Sequence, residues 1–305
     1  MKILISGSSG LIGSSLNSSL LHESWEVSRL VRTESARSEQ DIFWNPAEDE
    51  IETNRLEGFD GVVHLAGESI VGLWTVSKKD RIRTSRVAGT RLLASALSAL
   101  RAPPKVLICA SATGYYGNRG DEILTEDSPV GSGFLAEVCN EWEQAASSVM
   151  QAGIRLAHLR IPLVLSPEGG ALAKMLPAFR LGLGGVVGGG QHYMSWCTLE
   201  EVFHVIHHVI NHEQISGPVN VGTPHPVTNR EFTWTLGKVL RRPTPFPVPG
   251  FLLKLILGEM AEELLLASTR TQPVRLLETG YTFHHAELDT ALRHVLKGIS
   301  SVHQA

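Results

Sequence analysis

The chain opens Met-Lys-Ile-Leu-Ile-Ser-Gly-Ser-Ser-Gly-Leu-Ile-Gly, a short apolar strand that runs into Gly7, Gly10 and Gly13 and then an amphipathic stretch from Ser14 to Leu21. No other segment constrains the fold as tightly. The first glycine permits a tight turn off the strand, the second lets backbone approach a pyrophosphate, and the third lets a helix pack closely on a sheet. The helix N-terminus that follows aims Leu11 and Ile12 N–H groups, with their partial positive charge, at the same place. Three glycines at this spacing also occur in ordinary turns. A strand before them and a helix after them make this set a dinucleotide-binding fingerprint.

The rest of the first half repeats the theme. Strand-like runs at Ile3–Ser6, Glu26–Val31, Ile42–Trp44, Gly61–Ala66, Lys105–Ala110 and Arg155–Val164 alternate with helical patterns near 11–22, 77–100 and 134–152. That rhythm predicts an α/β fold, a doubly wound parallel (Rossmann) sheet, whose ligands lie at the carboxyl ends of the strands. Beyond about 166 the pattern changes. Six of the nine residues in 182–190 are glycine, and Pro243, Pro245, Pro247 and Pro249 make an extended stretch. Helices follow near 199–212, 229–240, 250–268 and 286–297, with a strand at Pro218–Val221. The expected organisation is a nucleotide-binding domain over 1–165, with return elements near 198–222, and a smaller, mostly helical C-terminal lobe from 166–197 and 223–305.

Composition narrows the function classes. With 305 residues, 43% of them hydrophobic, the chain can bury a large core, and a net charge of −4 gives no reason to expect nucleic acid or an anionic membrane. Cys109, Cys139 and Cys197 are widely spaced and odd in number, as in a reducing, cytoplasmic setting. No zinc motif is indicated; His204, His207, His208 and His212 recur at helical spacing and read as a solvated helix face. The apolar stretch 251–266 is broken by Lys254, Gly258, Glu259, Glu262 and Glu263 and reads as a helix with one buried face, not a membrane span. The expected partner is a small molecule, and nothing in the sequence fixes an oligomeric state.

Candidate site residues follow from the strand ends. The second strand ends at Val31-Arg32, 19 residues past Gly13, where an acid would bind the ribose hydroxyls of NAD and an arginine suits a 2′-phosphate, so the cofactor expected is NADP. Leu65, Ala66 and Gly67 form a wall for it, Glu68 would stand near the reactive end, and His64 between apolar neighbours reads as a core residue. Arg86 and Arg81 lie on the next helix as candidate phosphate or ribose contacts, although Lys78, Lys79, Arg81 and Arg83 together also read as a solvated run. Arg160 at the sixth strand end either touches the cofactor or is paired structurally. Gln191, Ser195 and Trp196 after the glycine-rich loop are candidate substrate contacts, against the alternative of a tightly packed buttress. Tyr116 is the phenol placed to face the nicotinamide.

This ordered series resembles the extended, epimerase-like branch of the short-chain dehydrogenase/reductase superfamily. The likeness rests on Gly-x-x-Gly-x-x-Gly, then His64-Leu65-Ala66-Gly67, Arg86-Val87-Ala88-Gly89-Thr90 and Ser111-Ala112-Thr113-Gly114-Tyr115-Tyr116-Gly117. Ala66-Gly67-Glu68-Ser69-Ile70, Phe134-Leu135-Ala136-Glu137-Val138-Cys139, Trp142-Glu143 and Gly217-Pro218-Val219-Asn220 are similar to its atypical, NAD(P)-dependent epimerase/dehydratase-like and cell-division-inhibitor-like members. The resemblance implies hydride transfer on a small hydroxylated or carbonyl substrate. It also exposes a departure. The superfamily's Tyr-x-x-x-Lys pair, in which Lys lowers the tyrosine pKa, falls on Phe134 and Val138 here, and its Ser or Thr falls on Ala112, between Ser111 and Thr113. Arg86 stands where extended members carry Asn. The alternative reading is therefore a catalytically degenerate NADP-binding sensor.

Overall fold

A computed structural model describes residues 1–33 and 37–300; residues 301–305, the end of the expected C-terminal lobe, lie outside that range. The first half comprises β1 (Lys2–Ser6), α1 (Leu11–His22), β2 (Glu26–Val31), β3 (Ile42–Asn45), β4 (Glu50–Ile51), β5 (Gly61–His64), α2 (Val76–Ser98), β6 (Val106–Ala112), β7 (Ile123–Leu124), α3 (Phe134–Ala145), β8 (Arg155–Ile161) and β9 (Leu163–Leu165). It is followed by α4 (Gly170–Arg180), β10 (Tyr193–Met194), β11 (Trp196–Thr198), α5 (Leu199–Asn211), β12 (Gly217–Asn220), β13 (Val227–Thr228), α6 (Asn229–Leu240), α7 (Gly250–Leu257), β14 (Arg270–Thr271), α8 (Val274–Glu278) and α9 (Leu288–Ser300). Eight strands form one sheet in the order β12-β8-β6-β5-β1-β2-β3-β4, with only the edge pair β3–β4 antiparallel. The doubly wound parallel sheet and the helical C-terminal lobe are as the sequence predicts.

Chemistry explains why these strands are central. Ile3, Leu4, Ile5, Val62, Val63, Leu107 and Ile108 are fully buried, so each strand needs apolar side chains on both faces. One face packs Leu16 and Leu20 of α1 with Val202, Val205, Ile206 and Val209 of α5; the other packs Leu93 and Leu97 of α2. The predicted run 155–164 divides at Pro162, which has no N–H for a ladder, and β9 leaves the main sheet to pair with β11.

Two expectations about the second half need correction. The helix predicted over 250–268 ends at Leu257, where Gly258 takes φ 60°, and resumes as a π-helical turn at Ala261–Leu265. Nor does α7 bury a face: none of its residues is buried, and Phe251 and Leu255 are 75% and 80% exposed. The reason is local: eight residues held between Pro249 and Gly258 have no partner layer over their apolar side. No helix among the described residues is long and apolar enough to cross a membrane. The helix α4 is absent from the sequence expectation because Gly169-Gly170 and an internal Pro177 mask its pattern.

Candidate functional site

The cleft is built where β1 and β5 end side by side. Ser6 pairs with His64, and beyond that point the Leu65 and Ala66 N–H groups both donate to Ser6 Oγ, at 3.1 and 3.3 Å. Gly7 turns off β1 with φ 71°, and a side chain there would meet the Leu65–Ala66 peptide at 2.7 Å. A Cβ on Gly13 would come to 2.2 Å from the Gly7 carbonyl oxygen, so helix and turn fit only without one. Gly10 differs: a Cβ there would meet only Gly7 O, at 3.4 Å, and would otherwise project into open space. Gly10 is also the N-cap of α1 and offers no capping side chain, which leaves the first N–H groups of the helix, at Leu11 and Ile12, available to an anion. The glycine cradle thus fits a pyrophosphate.

Cationic groups stand along one side of the turn. Leu30 pairs with Ser6 at the end of the β1–β2 ladder, Val31 ends β2, and the exposed Arg32 follows it beyond the ladder. Glu68 lies within Coulomb reach of Arg32; its Oε1 accepts Lys78 Nζ at 2.8 Å and lies 3.9 Å from Arg81 Nε. The Lys78 hydrogen bond holds the Glu68 carboxyl below the usual carboxylate range. Glu68, expected near the reactive end, is therefore collected with Lys78, Arg81 and Arg32, because the chain turns back toward α2 after Gly67. Arg86 sits beneath that turn, where burial lowers its pKa; Nη1 donates to the Glu68 and Ile82 carbonyls, and the guanidinium lies 5.1 Å from the Trp142 ring. His64 is a core residue, bonded to Ser6 Oγ at 2.6 Å and Thr90 Oγ1 at 2.9 Å, and burial depresses its pKa to about 4.

Tyr116 does not face the cleft. It is fully buried, its hydroxyl 2.7 Å from Asn220 Oδ1 and 3.0 Å from the Thr125 carbonyl, and it accepts from Arg160 Nη1 at 2.9 Å. Burial outweighs the lowering effect of Arg160 and pushes its pKa up to about 12. Arg160, 2% exposed, is bidentate to Glu143 at 2.9 Å on both arms and lies over Tyr115 at 3.5 Å from the ring centroid. Glu143 also accepts Ser111 Oγ at 2.7 Å. These residues form a buried polar network, and Arg160's donors are engaged within it. The turn Thr113–Tyr116 rotates the second tyrosine inward, a change of face that strand-end logic cannot anticipate.

The helix face presented to the end of β6 is also displaced by one residue from the sequence expectation. Phe134 and Val138 pack with Ile82, Ile70 and Trp74, a cluster that Leu135 also joins. Leu135 and Cys139 are the pair that would meet a side chain on Gly114, Cys139 is hydrogen-bonded at Ala112, and burial pushes its thiol up to about 12. In either register the i, i+4 pair lacks both a phenol and an ammonium group. Glu143, eight residues past Leu135, lies on that same face and is the functional group that sequence reasoning passed over; its helical spacing was the available signal.

On the other side of the cleft, Trp196 is fully enclosed beside Leu165, Leu172 and Phe232, and its Nε1 donates to the His225 carbonyl. It is not a substrate wall, because pairing of β11 with β9 draws it into the core. Ser195 Oγ is likewise enclosed, donating to Thr269 O at 2.8 Å and accepting from Thr271 Oγ1 at 2.8 Å, whereas Gln191 is exposed. The glycine-rich loop is braced against the proline stretch: Gly188 N–H donates to Val248 O, Val248 N–H to Val186 O, and a side chain on Gly185 would reach 1.6 Å from Phe246 O.

Comparison with known proteins agrees with this architecture. A model described as the NAD dependent epimerase/dehydratase family matches residues 3–222, and one described as a domain of unknown function (DUF1731) matches residues 248–295. An epimerase family protein of Mycobacterium leprae is 40% identical, over 95% of this chain and 94% of its own. A chloroplastic epimerase family protein of Arabidopsis thaliana is 36% identical, over 97% and 87%. Among solved structures, that of a human epimerase family protein with NADPH superposes with a TM-score of 0.88 at 30% identity, covering 97% of this chain and 99% of that one.

Proposed function

The chain belongs to the NAD dependent epimerase/dehydratase family, and on that premise we propose that it is an NADP(H)-dependent oxidoreductase or epimerase-like enzyme acting on a small hydroxylated or carbonyl compound. One observation carries the reading: an uncapped helix N-terminus behind an open Gly10, with Arg32, Lys78 and Arg81 gathered along the same edge. Gly7, Gly10, Leu11, Ile12 and Gly13 would hold the pyrophosphate, with Val31, Leu65, Ala66 and Gly67 as walls. Arg32 and Arg81 would hold a 2′-phosphate, the feature that separates NADP from NAD. Glu68 keeps Lys78 and Arg81 at that edge, and Arg86 supports the wall at Gly67. The NADPH held by the human relative supports the same choice.

When bound, the cofactor supplies a hydride at nicotinamide C4. What this chain supplies around it is unusual, because Leu135 and Cys139 occupy the helix positions nearest the β6 end and Tyr116 is committed to Asn220 and Arg160. The accompanying proton is therefore exchanged with water and not with a tyrosine–lysine pair. The same apolar pair favours a second reading, an NADP(H)-binding sensor without turnover. Single-turnover oxidation of bound NADPH across a panel of small aldehydes and ketones decides between them. Turnover that persists in Tyr116→Phe supports the enzyme; tight NADPH binding with no oxidation by any carbonyl supports the sensor; failure to bind NADPH removes both.

A further inference from the structure

Two histidine–carboxylate trios stand side by side where the start of α5 meets the segment 281–287 and α9. They are Glu201, His204 and His284, and Glu200, His285 and His294; in each, one ligand atom per residue lies within 4.8 Å of the others. The two carboxylates are differently engaged. Glu201 is buried, accepts the Tyr281 hydroxyl, and accepts the backbone N–H groups of His284 and His285 at 3.2 and 3.3 Å. Its lone pairs are spent on fixing the turn that carries both histidines. Glu200 is half exposed, and the atoms that face its Oε2 are ring nitrogens: His294 Nε2 at 2.9 Å and His285 Nε2 at 4.0 Å.

The imidazoles of His285 and His294 are stacked, centroids 4.2 Å apart and planes 30° from parallel, with both Nε2 atoms turned to one carboxylate oxygen. In a tetrahedral zinc site with bonds of about 2.0–2.2 Å, ligand atoms stand roughly 3.3–3.5 Å apart. The observed 2.9 and 4.0 Å bracket that spacing, so small side-chain rotations complete it.

We propose that Glu200, His285 and His294 bind one divalent first-row transition ion of the zinc class, with water in the remaining position. Two imidazoles and one carboxylate suit such an ion, while magnesium and calcium select all-oxygen sets. Glu201 acts as a positioning residue through the backbone of His285. The ion joins the N-terminus of α5 to α9 and so clasps the end of the helical lobe to the nucleotide-binding half. Exposure of Glu200 and His294, 48% each, gives it a path of entry.

The test uses the full chain stripped of metal with a chelator and titrated calorimetrically with zinc chloride. One saturable site is expected, with cobalt(II) giving the visible bands of a tetrahedral site and zinc raising Tm. His285→Ala and His294→Ala should each weaken binding about tenfold or more. His207→Ala, on the exposed side of α5, should leave it unchanged. Circular dichroism verifies that the variants fold. The proposal is overturned if zinc shows no saturable binding, if the double variant His285→Ala/His294→Ala binds as the parent does, or if affinity is lost instead in His204→Ala with the Glu200 trio intact.

Discussion

The Tyr116 hydroxyl has one proton and three polar neighbours, and that arithmetic fixes what its removal does. Tyr116→Phe leaves Asn220 Oδ1 without its donor in a buried setting and frees one arm of Arg160, which keeps Glu143 and the Glu126 carbonyl. A loss of about 1–3 kcal/mol in urea-unfolding stability is expected, with NADPH affinity unchanged; a variant of full stability that no longer bound NADPH would place the phenol in the cleft after all. His64 gives a pH signature of opposite origin. Burial lowers its pKa to about 4, against roughly 6.5 in the unfolded chain, so the unfolded state takes up a proton first as pH falls. Its contribution is complete above about pH 6.5, declines from there to about pH 4, and amounts to a few kcal/mol. Urea unfolding at pH 7.5 and 5.0 should show that decline in the parent and a shallower one in His64→Gln.

Among elements, the turn between β1 and α1 separates fold from binding. Gly10→Val places a branched side chain in the open space of the cradle, so nucleotide binding should be lost while far-UV circular dichroism stays native. Gly13→Ala drives a methyl to 2.2 Å from the Gly7 carbonyl and should destabilise the fold itself, by about 2 kcal/mol or more in thermal melts. Both glycines were legible in the sequence because strand, spacing and helix agree locally, as they do for β2, β5 and β6, whose apolar runs are long enough to read. The two-residue strands β4, β7, β10, β13 and β14 were not legible, since pairing with distant chain alone creates them. The face of α3 was missed by one residue for a similar reason. Its rotation is set partly by Glu263, which reaches from the distant π-helical turn to accept the Phe134 and Leu135 N–H groups at 2.8 and 2.7 Å. Tyr116 escaped because Asn220, its partner, lies 104 residues away.

At the scale of the whole molecule, the two halves are strapped together by carboxylates that accept backbone N–H groups. Glu263 caps α3, and Glu126 accepts the backbone N–H groups of Asn220, Val274 and Arg275, while β9 pairs with β11 and β7 with β14 across the same seam. With so many connections the halves should melt as one unit, and a ligand held by the first should stabilise both. Linkage makes this quantitative: at a hundredfold excess over Kd, a ligand that binds only the folded state adds about 2.7 kcal/mol, or roughly 4 °C in Tm for a chain of this size. NADPH should therefore shift a single transition by that amount. If Arg32 holds the 2′-phosphate, NADH at the same concentration should bind at least about tenfold more weakly, a difference of about 1.4 kcal/mol. Arg32→Ala should shrink that difference by weakening NADPH alone, Arg81 keeping its share of the 2′-phosphate. Differential scanning calorimetry of parent and variant with each nucleotide reads all three expectations. Equal shifts by NADPH and NADH in the parent would remove Arg32 from the cofactor site, and two transitions, of which only one moves, would show that the straps do not couple the halves.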